Sequence, residues 1–325
     1  MDVEPSEQLA LYACDVMSDG KVETVPGEPP ETNVPSGVAY RWIHIDLNHS
    51  QARSWIASTC DQFVTEALTR QDTRPRCTRH AGGLILILRG VNLNPDSDPE
   101  DMVSIRLWVT ENLIISVRLR RLMAVVSLRD RMDANDPPPT TADFISYLAA
   151  GLTEKMDPVI TSLTDKTDEL EDRSIENQTV MRADLSELRR TTIILRRYVA
   201  PQRDALNRLS MEPVSFITDE QRIAVRETVD RIMRLVEELE ALRERSIVLY
   251  EQLSDKRAEE MNRNMLVLSV VAAVFLPLGF LTGLLGVNIG GIPGANVPWA
   301  FGVFSVFLIL ISTALLWYFR KLKWI

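Results

Sequence analysis

An uncharged loop near the C-terminal end, residues 286–298, has the composition best suited to chemistry on an ion; its sequence is GVNIGGIPGANVP. Asn288 could present one amide oxygen from each of several copies of the chain, and glycine carbonyls could add more oxygens. Such a ring can hydrogen-bond the water shell of a hydrated ion without removing the shell. A plain turn between two helices would need neither so many glycines nor Asn288. The sequence therefore predicts a selectivity filter at Gly286, Val287 and Asn288, in a loop that also contains Gly290, Gly291, Pro293 and Gly294.

Two apolar segments flank this loop, residues 265–285 and 299–319, and each contains 21 residues without a charge. About 20 residues are needed for a helix to cross a bilayer. Two such segments in succession have no amphipathic face, which argues against buried helices of a soluble protein. Basic residues precede the first segment and form a tail after the second, residues 320–325. The positive-inside rule therefore predicts a multi-pass membrane protein with both termini in the cytosol.

Two helices cannot enclose a pore in one monomer, so permeation would require several copies. Residues at three- and four-residue intervals along the first span lie on one face of the helix, and their side chains become smaller toward the outer end. This predicted pore-lining face consists of Met265, Leu268, Ala272, Leu276, Gly279 and Gly283. Alternatively, Gly279 and Gly283 form a small-xxx-small pair for close helix packing. Both interpretations hold together if several copies surround an axis.

Neither a proton relay nor catalysis is indicated by the side chains. No Asp, Glu, His, Lys or Arg lies between Asn264 and Phe319, so protons that drive transport would have to travel through water or act on the soluble part. The sequence has no phosphate-cradling Gly loop, no nucleophile elbow and no His-Glu-x-x-His motif. We expect no enzyme activity and no cofactor.

Two groups in the soluble part contain the His, Cys and carboxylate ligands that zinc prefers. His44 and Asp46 share one face of a predicted strand, and His49 lies beyond its end. Cys77 and His80 have a ligand-like Cys-x-x-His spacing, although two nearby arginines would repel a cation. Both groups are more typical of structural or surface residues, and neither is a strong zinc signature.

The charges are partitioned along the chain. All 45 acidic residues lie at or before Glu260, and the first 264 residues carry 33 basic residues, a net charge of −12. This balance argues against nucleic acid as a partner and is compatible with handling cations. Three cysteines in unrelated contexts suit a reducing cytosol, and the first ten residues do not resemble a signal peptide.

The soluble part is predicted to be an α/β domain, residues 37–213, after an irregular lead over residues 1–36 that is rich in Pro, Gly, Glu and Asp. Apolar runs predict strands at 42–47, 84–88, 104–109 and 113–117, with a hairpin turn at Glu111-Asn112. A helix is predicted at 51–69, and the sheet is expected to be mixed.

The sequence becomes helical after a proline-rich break at residues 133–141. One helix starts at Thr141, a second begins near Pro158, and a third spans about 181–198 and stops near Pro201. A long stalk helix is predicted over 214–264, opening at Thr218 and continuing into the first span. Its apolar seam consists of Val225, Val229, Ile232, Val236, Leu239 and Leu242. Two interpretations apply to the glutamates along this helix: they form a solvated helix face, or they bind cations and thereby gate a pore.

The region around the loop resembles a known family. The run Pro277-Leu278-Gly279-Phe280-Leu281-Thr282-Gly283, followed by Gly286-Val287-Asn288 and a second span, looks like the CorA metal-ion transporter family with its Gly-x-Asn signature. Residues 289–294 are similar to the ZntB zinc-transport subgroup rather than to the magnesium and cobalt members.

This resemblance implies a funnel-shaped homopentamer with an α/β/α cytosolic domain, a pore lined by the first span and an outer filter at the Gly-x-Asn ring. It implies transport of divalent cations with zinc as the expected substrate, and proton coupling is an open alternative. Gly279 stands where many relatives have Thr, and the loop lacks the carboxylates of many magnesium-transporting members. The rival interpretations are a magnesium or cobalt channel of the same architecture and a non-transporting, membrane-tethered scaffold.

Overall fold

The structure is a computed structural model that describes residues 8–25, 30–172, 178–287, 292, 294 and 296–322. The chain divides into two compact units, Met1–Leu249 and Tyr250–Ile325. The first unit contains a seven-stranded sheet with helices on both faces, and the second contains two long apolar helical segments.

The sheet has the strand order β2-β1-β3-β7-β6-β5-β4. Neighbouring strands are antiparallel except β3 and β7, which are parallel, so the predicted mixed sheet is confirmed. The strands are β1 (Ala10–Met17), β2 (Val22–Thr24), β3 (Val38–Asp46), β4 (Arg76–His80), β5 (Gly83–Gly90), β6 (Val103–Val109) and β7 (Leu113–Arg118).

One face of the sheet is covered by α1 (Ala52–Thr59) and α2 (Gln62–Thr69). Alternate apolar residues of β3, β5 and β7 pack there against both helices because successive side chains of a strand point to opposite faces. The single helix predicted over 51–69 is wrong. Asp61 is extended at this point, and its Oδ1 accepts a hydrogen bond of 2.9 Å from the backbone N–H of Val64, which starts a new helix.

The opposite face is covered by α3 (Met123–Asp133), α4 (Thr141–Asp172) and α5 (Gln178–Met211). The Trp42 and Phe144 rings meet with centroids 5.0 Å apart, and the Tyr40 hydroxyl donates to the Pro138 carbonyl at 2.8 Å. At Gly90, a Cβ would lie 2.8 Å from side-chain atoms of Leu122 and Leu152, so the helices approach the sheet closely here. The α/β/α architecture implied by the family resemblance is confirmed.

The irregular lead predicted over residues 1–36 is wrong for β1 and β2. Leu9, Cys14 and Val16 are buried, and β1 lies between β2 and β3. A bidentate ion pair joins β1 to β3, since Arg41 donates to both carboxylate oxygens of Asp15 at 2.6 and 2.7 Å. The prolines and glycines that suggested an irregular segment lie mainly after Met17, outside β1.

The helix boundaries predicted at Pro158 and Pro201 are also wrong, because both prolines lie inside helices. An interior proline removes one helical hydrogen bond and costs about 3 kcal/mol. Apolar residues on both sides compensate by burial: Met156 and Ile160 flank Pro158, and Val199 and Leu206 flank Pro201.

The last two helices are α6 (Asp219–Leu285) and α7 (Ala300–Lys321). Thr218 begins α6, and its backbone N–H donates to Gln221 Oε1 at 2.8 Å, as in a capping box. The predicted seam of α6 is buried within the first unit apart from Val229, which is half-buried. Two of its glutamates have partners there: Glu238 accepts from Thr164 Oγ1 at 3.0 Å, and Glu240 is paired with Arg196.

Candidate functional site

Two helical segments of the second unit have the length and composition of membrane spans, one within α6 and the other in α7. Only 11% of the most apolar window of α6 is buried, and none of that of α7. Core helices of soluble proteins are mostly buried, whereas these segments expose apolar surface on nearly all sides. They therefore need an apolar environment that one copy of the chain does not supply.

The two spans pack against each other along one side of α6. Val270, Val274 and Phe319 form a buried cluster, with Leu278 and Leu315 packed against it. Since an α-helix turns about 100° per residue, positions 270, 274 and 278 mark the side of α6 that faces α7.

The predicted pore-lining residues lie on the opposite side of α6. Met265, Leu268 and Leu276 are 56%, 69% and 78% exposed, and Ala272, Gly279 and Gly283 are exposed as well. Ala272, Leu276 and Gly279 line part of an open hollow of about 830 Å³ beside Pro277. This face has no partner among the described residues of the chain.

The glycines in the last turns of α6 and just after its end have different surroundings. A Cβ added at Gly279 or Gly283 would meet no atom within 4 Å, so α7 does not use this small-xxx-small pair as a contact. At Gly286 a Cβ would lie 2.9 Å from the Thr282 carbonyl oxygen. The Gly286 N–H donates to that oxygen at 2.9 Å and to the Gly283 carbonyl at 3.2 Å, which closes the end of α6.

Hydroxyl groups near this face are satisfied within the helix. Thr282 Oγ1 donates to the Leu278 carbonyl at 2.9 Å, and Ser269 Oγ donates to the Met265 carbonyl at 2.8 Å. Pro277 has no N–H, so the Ala273 carbonyl lacks its usual helical donor. The surface of the span therefore offers apolar groups and backbone oxygens, and it carries no charge.

The loop is only partly described. Gly286 and Val287 are exposed, and Gly294 has a φ of +86°, which favours glycine. Asn288, Gly290, Gly291 and Pro293 lie outside the described residues. Of the filter predicted at Gly286, Val287 and Asn288, the residue that would supply the amide oxygen, Asn288, is thus known from the sequence alone.

His44 and Asp46 of β3 have structural partners. His44 Nδ1 lies 2.7 Å from Ser116 Oγ, which also accepts from Trp42 Nε1 at 2.8 Å. Burial, together with the smaller effect of the positive charges of Arg118 and Arg129, lowers the pKa of His44 to about 3, so the imidazole is neutral. Asp46 Oδ1 accepts from the backbone and side chain of Asn48 at 2.9 and 2.8 Å. Ser116 was missed by the sequence interpretation; a small polar residue inside an apolar strand was its signal.

The other candidate ligands are also separated. His49 Nδ1 accepts from the Gln51 N–H at 3.2 Å, at the start of α1. Cys77 and His80 lie on opposite faces of β4: Cys77 is buried, while His80 contacts Phe63 and bonds Asp61 Oδ2 at 2.7 Å. In the part of the chain that the structure describes, no three His, Cys, Asp or Glu side chains come together as a metal site.

These features define a class of protein: a chain with an α/β/α unit and two uncharged helical segments that have the length and composition of membrane spans. A family model described as "CorA-like Mg2+ transporter protein" matches residues 38–321. The divalent cation transporter CmaX of Pseudomonas aeruginosa is 38% identical over 289 residues, 87% of this chain and 87% of that protein. The zinc transport protein ZntB of Yersinia enterocolitica is 34% identical over 286 residues, 87% and 88% of the two chains.

A solved structure of full-length CmaX superposes with a TM-score of 0.81 at 34% identity and covers 99% of this chain and 100% of that one. The chain belongs to the CorA-like Mg²⁺ transporter family. Members of this family are transporters rather than enzymes, and the chain is a divalent-cation transporter of the CorA type.

Proposed function

We propose that the chain assembles as a homopentamer around a central pore and carries zinc across the cell (inner) membrane. The observation that supports this proposal most directly is the unpartnered, uncharged face of α6 that contains Leu268, Leu276 and Gly279. Copies placed around an axis give this face a role that packing against α7 does not. The side chains of this face become smaller toward the loop and end in glycines, which leave the backbone carbonyls accessible.

In this mechanism the ion keeps its water shell while it passes the filter. Asn288 from each subunit hydrogen-bonds that shell, and carbonyl oxygens of the glycine-rich loop add further acceptors. Gly286 closes the end of α6 with its backbone hydrogen bonds, and Asn288 follows two residues later in the sequence. Because the span and the loop contain no carboxylate, attraction of the cation depends on dipoles and on the acidic soluble part.

Zinc is favoured over other divalent ions by the relatives named as zinc transport proteins, which are 32–34% identical to this chain. Magnesium is the second candidate because the matching family model is described by that ion. Both ions fit a filter that binds hydrated cations, so the choice between them has to be measured.

The driving force is proposed to act outside the side chains of the spans. With no ionisable Asp, Glu, His, Lys or Arg between Asn264 and Phe319, protons that accompany zinc move through water or act on the soluble part. Both chain termini are proposed to be cytosolic, as the basic residues that flank the spans indicate.

The decisive experiment is metal flux into liposomes that contain the purified full chain. Zinc, magnesium and cobalt are compared in parallel, with a pH gradient of either sign. Zinc flux that responds to the gradient supports the proposal together with proton linkage. Magnesium flux that ignores the gradient assigns the chain to the channel alternative, and the absence of flux for every metal contradicts the pore proposal.

The filter assignment is tested by Asn288→Ala in the same assay. Losing the amide oxygens should reduce zinc flux or its selectivity over magnesium by at least about tenfold, since the filter then lacks its polar ring. Asn296→Ala, in the same loop, is the matched control and should stay close to the unmodified chain. Equal flux and selectivity in both variants would sink the assignment of Asn288.

A further inference from the structure

A second surface of the membrane unit is built differently from the pore face. A groove of about 860 Å³ runs between α6 and α7. Its floor includes Val270 and Val274, which are 5% and 8% exposed, while Val267, Val271 and Phe275 on its wall are about half exposed or more. Ser312 is the polar residue of the α7 side, and its hydroxyl donates to the Leu308 carbonyl at 2.9 Å within its own helix. The groove is therefore apolar along its length.

The groove has one charged residue, Arg263, at its cytosolic end. Phe319 packs in one cluster with Val270 and Val274, so Arg320 and Lys321 at the end of α7 lie within roughly 15 Å of the level of Arg263 along the helix pair. The chain has no Asp or Glu after Glu260. Glu259 and Glu260 lie one turn before Arg263 and outside the groove, so the charges of the groove and of the chain beyond it are all positive.

The groove is longer than one leaflet of the bilayer is deep. From Arg263 to Leu278 the helix rises by about 22 Å, whereas one leaflet of the hydrocarbon core is about 15 Å deep. An acyl chain that enters beside Arg263 can thus remain in the groove over its whole length. Basic pockets between membrane helices on the cytoplasmic side suit anionic lipid headgroups.

We propose that this groove binds one anionic phospholipid per subunit, with an acyl chain between α6 and α7 and the phosphate beside Arg263. Two observations combine in the proposal: an apolar channel with a buried floor, and a single guanidinium where a headgroup would lie. Free phosphate would use only the guanidinium.

The first test is lipid binding to the full chain in detergent, measured by native mass spectrometry. Phosphatidylglycerol and phosphatidylcholine with identical acyl chains are titrated separately. We expect phosphatidylglycerol to bind at least about tenfold more tightly, and Arg263→Gln to reduce that preference to less than about threefold. Arg257→Gln, on the same helix but outside the groove, is the matched charge control and should keep the preference.

The apolar part of the site is tested by filling it. Val267→Trp should weaken binding of both lipids, while zinc flux in liposomes reports that the variant is folded. Equal binding of the two lipids to the unmodified chain, or an unchanged preference in Arg263→Gln, overturns the proposal.

The occupant of the groove is tested in liposomes with a spin label at Val271→Cys, in a Cys60→Ser background because Cys14 and Cys77 are buried. A groove that holds a lipid chain lets membrane-dissolved oxygen broaden the label's spectrum. A label protected from oxygen means that a second copy covers the groove, and this result rejects the lipid site whatever the cation flux of the protein.

Discussion

The His44 side chain is fully buried on the α4 side of the sheet, and its Nε2 has no hydrogen-bond partner within the described part of the chain. Ser116 holds the Nδ1 atom, so the ring belongs to the packing between β3 and β7. His44, which the sequence suggested as a metal ligand, thus has a structural role in the fold. The burial of its neutral imidazole distinguishes this structural role from that of a metal ligand.

This burial makes stability depend on pH. The pKa of His44 is lowered to about 3 in the folded chain, against about 6.5 when unfolded. Its contribution to stability is therefore fully present above pH 6.5 and is lost as the pH falls toward 3. Between pH 7 and pH 5 the loss amounts to about 2 kcal/mol. Urea unfolding of the full chain in detergent, followed by tryptophan fluorescence at both pH values, measures it.

The matched variants are His44→Asn and His49→Asn. His44→Asn should lower the free energy of unfolding at pH 7. It should also remove the loss of about 2 kcal/mol between pH 7 and pH 5, because no proton is then taken up at this position on unfolding. His49→Asn should retain the dependence. A pH dependence that is the same in all three proteins would show that His44 does not take up a proton on unfolding.

At the scale of the element, the end of α6 is set by Gly286. A Cβ there would lie 2.9 Å from the Thr282 carbonyl oxygen, which is backbone and cannot move aside as a side chain would. If the proposed filter begins at Gly286, Gly286→Ala should displace its start and reduce zinc flux at least about tenfold, with helix content unchanged. Liposome flux and circular dichroism measure the two effects.

Gly302→Ala on α7 is the control for this prediction, since a Cβ at Gly302 would meet no atom within 4 Å. Its flux should match that of the unmodified chain. If both alanine variants transport zinc normally, the close approach at Gly286 has no functional consequence.

The sequence predicts those elements whose patterns are complete within the element. The apolar run 84–88 and the segments 104–109 and 113–117 coincide with β5, β6 and β7, because each is bounded by turn residues. β4 was not predicted: Arg76–His80 has little apolar character, and pairing with β5 makes it a strand. The continuations of α4 and α5 through proline depend on tertiary burial, which no local pattern contains.

The candidate site likewise contains residues that the sequence placed correctly and residues that it did not. Helical spacing alone placed the six residues from Met265 to Gly283 on one face, and the structure leaves that face exposed. The Cys77 and His80 spacing was misleading because β4 is a strand, in which residues three apart point in opposite directions. A ring of Asn288 side chains requires several copies, so no property of a single chain could establish it.

At the scale of the whole molecule, the proposal of an axis surrounded by copies predicts different effects for two glycines that are equally open in one chain. Cβ atoms at Gly279 and Gly302 would meet nothing within 4 Å. Gly279→Leu should place four extra carbons beside the shared axis and lower flux at least about tenfold. Gly302→Leu extends from α7 and should change flux little.

Liposome flux, with native mass spectrometry to count the subunits, measures this difference. A pentamer that transports zinc equally well with either leucine would contradict the assignment of the Gly279 face to the pore. A complex that contains fewer subunits in the Gly279→Leu protein alone would show that this face forms contacts between copies.

The single parallel pair of the sheet, β3 with β7, also has a consequence for how the soluble unit folds. The strand β1 pairs with both β2 and β3, and β4 to β7 form a second set of antiparallel neighbours. The two sets join where Arg41 pairs with Leu113, residues about 70 positions apart. Closing this long loop should be the slow step, so each set can form its local pairs early and the complete sheet appears only when β3 and β7 meet.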